Sequence, residues 1–161
     1  MKIIIIDDEK EILEISMEKK AKVVGRTKAD ANHEVISVVQ SGETYRYCRT
    51  PCAECPWRKD SPIGAFPAEA YRISAKTAYD MAQSTFACHM AGKDNPATCA
   101  GFLLQSSAHS FQVRMSLIKG RLDLSKVKSD VPLYGSYRKM AEANGVDPED
   151  PVLKPCRGDD E

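Results

Sequence analysis

The pattern of residues predicts an α+β fold: a small N-terminal β layer over 1–47, then a metal-centred, mainly helical cysteine-rich domain over 48–157, and an acidic tail at 158–161. Three observations carry this. β-Branched runs crowd the start of the chain, the composition changes abruptly to Cys, Pro, Arg and Asp between Cys48 and Gly64, and apolar residues recur at helical spacing beyond Pro67.

In chain order, residues 2–6 form an apolar isoleucine run and 34–39 are rich in β-branched residues, so both read as strands. Ser41-Gly42-Glu43 reads as a turn before a further strand over 44–47. The stretch 9–20, with Ile12, Leu13, Ile15 and Met17 among charges, is ambiguous between a strand and a short helix. Pro67 opens a helix running to about Gln83, with Tyr71, Ala75, Ala78 and Ala82 inward. A second helix follows Cys99, with Leu104, Ala108, Phe111, Met115 and Ile118 on one stripe and Gly120 as its stop. A third covers 134–144, with Tyr137, Met140 and Ala141 inward and Asn144-Gly145 as a left-handed cap. Beyond it the Pro-rich acidic segment reads as an extended arm.

The chain has 161 residues, enough for one core without staples, and its 23 basic and 23 acidic side chains cancel, so no global field selects an anionic partner. The isoleucine run is stopped at once by Asp7-Asp8-Glu9, too short for a leader core or a membrane span, and the expectation is a cytoplasmic protein with no membrane partner. In a reducing compartment six cysteines read better as metal ligands or a redox pair than as three disulfides.

Cys52-Ala53-Glu54-Cys55 is a C-x-x-C, a tight turn that can bring two sulfurs to one ion. Cys88 and Cys99 bracket a segment containing Gly92, Asn95 and Pro96, which lets the chain fold back and supply a second pair. The expected metal site is therefore Cys52, Cys55, Cys88 and Cys99, with His89 and Cys156 as further candidate ligands. Zinc is the favoured ion, and a 4Fe-4S cluster is the alternative, since both accept four thiolates and Cys55-Pro56 suits a cluster ligand. Buried cysteines serving as small hydrophobes are the bland reading. A thioredoxin-like motif is disfavoured by Pro56 and Pro62 in an irregular segment.

Cys48 completes a C-x3-C-x2-C spacing like that of radical enzymes of the S-adenosylmethionine type, but Glu54 stands where those have an aromatic residue and the chain is too short for their barrel. Cys48 is read instead as a strand end. The run from Lys2 to Lys10 resembles the first strand and acidic pair of response-regulator receivers, a likeness that extends to about fourteen residues in all and then stops, and Asp7 and Asp8 are given no role. Trp57-Arg58-Lys59 joins an aromatic face to two cations, and Arg114, Lys119 and Arg121 stand in a second basic set. These form a weak candidate surface for nucleic acid or another partner, against the default in which Trp57 caps the metal site and the cations stand on a solvated face. His33, His89, His109 and the serines near 106–110 form no recognisable catalytic motif, and no glycine-rich phosphate loop is present.

The segments Thr50-Pro51-Cys52-Ala53-Glu54-Cys55-Pro56-Trp57-Arg58, Phe86-Ala87-Cys88-His89-Met90, Cys99-Ala100-Gly101-Phe102-Leu103, Asn144-Gly145-Val146-Asp147-Pro148 and Cys156-Arg157 resemble an uncharacterised family of small cysteine-containing bacterial and phage proteins of unknown function. The likeness covers roughly 48–157. It implies that Cys52, Cys55, Cys88, His89, Cys99 and Cys156 share one site in a bacterial or phage-borne gene, and it implies no reaction. The expected function is a metal-stabilised binding module acting on a host protein or nucleic acid. The alternative is an iron-sulfur redox protein or a zinc-dependent enzyme.

Overall fold

A computed structural model describes residues 2–7, 21–40 and 45–158. Among these the fold is mixed α+β, with a four-stranded sheet and four α-helices. The sheet runs β2-β3-β1-β4, where β1 is Lys2–Ile6, β2 is Ala21–Lys28, β3 is Glu34–Gln40 and β4 is Thr85–Phe86. β1 pairs parallel with β3, Ile3 beside Val35 and Ile5 beside Ser37, and antiparallel with β4. β2 closes the other edge antiparallel to β3, with a register shift between Val23 and Gly25.

Because strand side chains alternate, β1 feeds two apolar clusters. Ile3 and Ile5, with Val35, join the main core of Trp57, Phe66, Tyr71, Phe86, Phe102, Tyr137 and Leu153, while Ile4 and Ile6 pack with Ile36, Val38 and Ala87. The expected strands over 2–6 and 34–39 are present, whereas β2 and the short β4 were not foreseen. Residues 8–20 and the turn at 41–43 lie outside the described residues. Tyr45 and Arg46 are in no strand, and Tyr47 makes a single parallel bridge to Thr98 in place of the expected strand over 44–47.

α1 spans Ala68–Ser74 and tightens into a 3-10 turn over Ala75–Ala78, so the first helix stops well short of Gln83. Its inward residues are as expected, with Tyr71, Ala75, Ala78 and Ala82 buried. The second expected helix is two: α2, Ala100–Gln105, and α3, Phe111–Ile118. Serines break it. The Ser107 hydroxyl donates to the Leu103 carbonyl, and Ser110 caps α3 by accepting from the Val113 N–H, local bonds that compete with a continuous helix. Restarting the helix rotates its face, so Leu104, Ala108 and Ile118 are exposed and Phe102, Leu103, Val113 and Ser116 are buried instead.

α4, Tyr137–Ala143, begins on Ser136, whose side chain accepts from the Lys139 N–H, and ends before Gly145 at φ 96°. Tyr137, Met140 and Ala141 face inward as expected. The carboxyl segment is not an extended arm. Asp150 caps a 3-10 turn over Pro151–Leu153, Leu153 is fully buried and Cys156 bridges to Tyr79. Among the described residues no helix is long and apolar enough to cross a membrane.

Candidate thiol site

Four stretches of backbone bring the cysteines together, and Thr98 is their common anchor. Its N–H donates to the Arg46 carbonyl and its carbonyl accepts from the Cys48 N–H, which fixes Cys48 beside the 97–99 strand-like segment. On its other side Ala87 bridges Thr98, with the Cys88 N–H donating to Ala97 and the Cys99 N–H donating to Phe86. The C-x-x-C turn is closed by the Cys55 N–H on the Cys52 carbonyl and by the Arg58 N–H on the Cys55 carbonyl. Side chains complete it, as Ser61 Oγ donates to the Cys55 carbonyl at 2.7 Å and the Arg58 guanidinium donates to the Cys52 carbonyl at 3.3 Å.

Trp57 locks this turn to α2. Its ring is fully buried among Phe86, Phe102 and Tyr137 at centroid separations of 6.1, 6.5 and 5.9 Å. Gly101 lies so close that a Cβ there would stand 2.5 Å from the Trp57 Cβ, so the helix backbone presses directly on the indole. That contact sets Cys55 against Cys99, the residue before α2, with their sulfurs 3.6 Å apart.

The remaining thiols continue the contact. Cys88 interacts through hydrogen bonding with Cys48 and Cys52, and Cys52 also with Cys55. The sulfurs thus run Cys48, Cys88, Cys52, Cys55, Cys99. Sharing of protons among them separates their acidities. Cys88 is held far below the usual thiol range, first by Cys48 and Cys52 and then by the backbone N–H groups of Ala91 and Met90, which outweigh its burial. Cys48 is pushed up chiefly by Cys88 and by burial, and Cys52 by Cys55 and Cys88. Cys55 is lowered by Cys52 and by the Trp57 N–H, but Cys99 and burial carry it upward on balance. Backbone N–H groups aimed at Cys88 and Cys55 are the donors that favour a thiolate over a thiol.

All four expected cysteine ligands lie in this run, joined by Cys48, which had been set aside as a strand end. The signal for Cys48 was its C-x3-C-x2-C spacing, dismissed together with the enzyme class it resembles. The two further candidates point elsewhere. His89 Nε2 lies 3.4 Å from the Glu54 carboxylate and its ring meets Phe66 edge to face, while the Cys156 thiol donates to the Ala75 carbonyl at 3.8 Å and is raised to about 12 by burial. Among the described residues no group of three or more His, Cys, Asp or Glu side chains, as placed, could hold a metal ion. What the fold displays is a run of thiols, with Cys55 against Cys99 at 3.6 Å.

The weak partner surface is divided. Trp57 is core, so its face is closed to a stacking base. Arg58 is occupied by Asp60 in a two-pronged pair at 2.7 Å, and Lys59 is exposed. Arg114 is exposed on α3 and donates to the Ala108 carbonyl and His109, and Lys119 and Arg121 are exposed just beyond it.

Fold and thiols together define a cysteine-rich α+β protein. The chain belongs to the family of unknown function DUF6283, whose model matches residues 47–157, the part holding all six cysteines. No curated protein and no solved structure matches it.

Proposed function

We propose that the thiol run is the ligand set of a single zinc ion that stabilises a small binding module. The observation that carries this is the convergence of five cysteines from four loop segments, with the Cys55 and Cys99 sulfurs 3.6 Å apart. Around a tetrahedral zinc with Zn–S of about 2.3 Å, ligand sulfurs stand about 3.8 Å apart, and the Cys55–Cys99 separation of 3.6 Å is of that size. An iron-sulfur cluster would spread its thiolates over several irons, wider than contact distance. The 3.6 Å contact between Cys55 and Cys99 and the interaction of Cys52 with both Cys55 and Cys88 favour Cys52, Cys55, Cys88 and Cys99 as the four ligands and leave Cys48 as a fifth thiol beside Cys88. Closing on the ion requires rotation of these side chains from their present contacts.

A four-thiolate site has no open position for water, so the role is structural, and the loops it fixes are those presenting the module's surface. Exposed Arg114, Lys119 and Arg121 support an anionic partner, a nucleic acid or an acidic face of a host protein, whose binding would weaken with salt.

Metal analysis of the purified chain tests the ligand set. One zinc per chain, retained by Cys48→Ser and lost by Cys99→Ser and Cys52→Ser, is the expected result. Loss in Cys48→Ser with retention in Cys99→Ser would reverse the fourth ligand, and iron with visible absorption would replace zinc by a cluster.

A further inference from the structure

Behind the C-x-x-C turn lies a pocket of roughly 150 Å3, walled by Pro56, Pro62, Phe66, Tyr71 and Tyr134 and separate from the thiols. Phe66 and Tyr71 meet edge to face at 6.5 Å and 85°, which holds both rings as fixed walls. Tyr71 is 1% exposed, yet its hydroxyl has no hydrogen-bond partner among the described residues; the bond at Tyr71 uses only its backbone carbonyl, which accepts from Tyr137. The buried side-chain atoms without a partner among the described residues are Trp57 Nε1 and Thr85 Oγ1, so the Tyr71 hydroxyl meets open space, where a ligand acceptor can take it up. Two other polar side chains around the pocket are already engaged. Asn144 accepts from the Gly64 N–H and donates to the Met140 carbonyl, and Ser61 donates to the Cys55 carbonyl. Arg58 is held by Asp60, while the Glu54 carboxylate, 60% exposed, lies 3.4 Å from His89 Nε2.

We propose that this pocket binds a small uncharged aromatic molecule, its ring between Phe66 and Tyr134 and one acceptor atom on the Tyr71 hydroxyl. Size supports a single ring, since an apolar cavity of about 150 Å3 is one that accepts benzene. Arg58 is taken by Asp60, which leaves no free cation at the pocket to hold an anion, and the apolar walls favour a neutral ring. Aromatic and proline walls favour a flat ring over an alkyl chain. The assignment does not depend on the thiol site.

Amide-shift titrations of the full chain with phenol and with toluene, followed by NMR, test it. Phenol is expected to shift the amides of Phe66, Tyr71 and Tyr134 and to bind more tightly than toluene. Tyr71→Phe, which keeps the ring and removes only the unpartnered hydroxyl, weakens phenol by roughly 2- to 12-fold, the worth of one hydrogen bond, and leaves toluene unchanged. Ala65→Phe, which places a ring at the pocket wall, abolishes binding of both probes. Shifts centred elsewhere, phenol no tighter than toluene, or equal losses of both probes in Tyr71→Phe would overturn the assignment.

Discussion

The sheet and the cysteine loops are held together in opposite ways. In the sheet, β1 and β3 bury isoleucine and valine on both faces and a continuous ladder satisfies the backbone. Between Tyr47 and Cys99 the backbone is mostly irregular and is fixed at separate points: the bridges at Thr98, the bridge from Arg58 to Leu133, the buried Trp57 and the row of thiols. The contrast teaches that the sheet draws its order from burial, which any apolar side chain of similar shape could supply, whereas the loops depend on a few specific contacts.

The sharpest way to break that comparison is Trp57→Ala, which removes the pin between the C-x-x-C turn and α2. A loss of about 3–5 kcal/mol is expected in denaturant unfolding, with thiol-reagent reactivity of the cysteines rising at the same time. Gly101→Ala attacks the same contact from the other side. Alanine gains up to about 1 kcal/mol in helix propensity. A Cβ only 2.5 Å from the Trp57 Cβ costs about 1–3 kcal/mol, so the net effect is destabilising. Tyr137→Phe deletes the hydroxyl that donates to the Tyr71 carbonyl at 2.6 Å and contacts Ser74 Oγ at 2.7 Å, for an expected loss of about 1–2 kcal/mol measured by the same unfolding curves. Cys156→Ala has the smallest effect, about 1 kcal/mol from lost packing. It should leave metal content untouched, since Cys156 lies against Ala75 apart from the other five thiols.

The same contrast decides what could be read from the sequence. Strands β1 and β3 were legible because their β-branched runs are unbroken, and the inward faces of α1 and α4 because Tyr71, Ala75, Tyr137 and Met140 keep helical spacing. The break between α2 and α3 was hidden, as apolar residues recur across it and the decisive signals are the hydroxyls of Ser107 and Ser110, which act through local backbone bonds. β4, two residues long, carries no periodicity and exists because it pairs with Ile5 and Ile6. The four cysteines of the two expected pairs do come together, since turn residues flank each of them. Cys48 was set aside because its place depends on Thr98, fifty positions on, a pairing that no local pattern announces. Trp57 reads from the sequence as a cap on the cysteine site or a stacking face, and the tertiary contact with Gly101 shows it as core.

If the loops are ordered by an ion on the thiols, metal removal should melt them while the burial-held sheet resists. Thermal unfolding of the purified chain with and without a strong zinc chelator measures this most directly, because ligand binding free energy in such sites is folding free energy. The account predicts a lower melting temperature with chelator, restored by added zinc, and a matching loss of order in the amides of residues 47–62 and 85–99. An unchanged melting temperature and unchanged loop amides in a chain that carries no metal would contradict it.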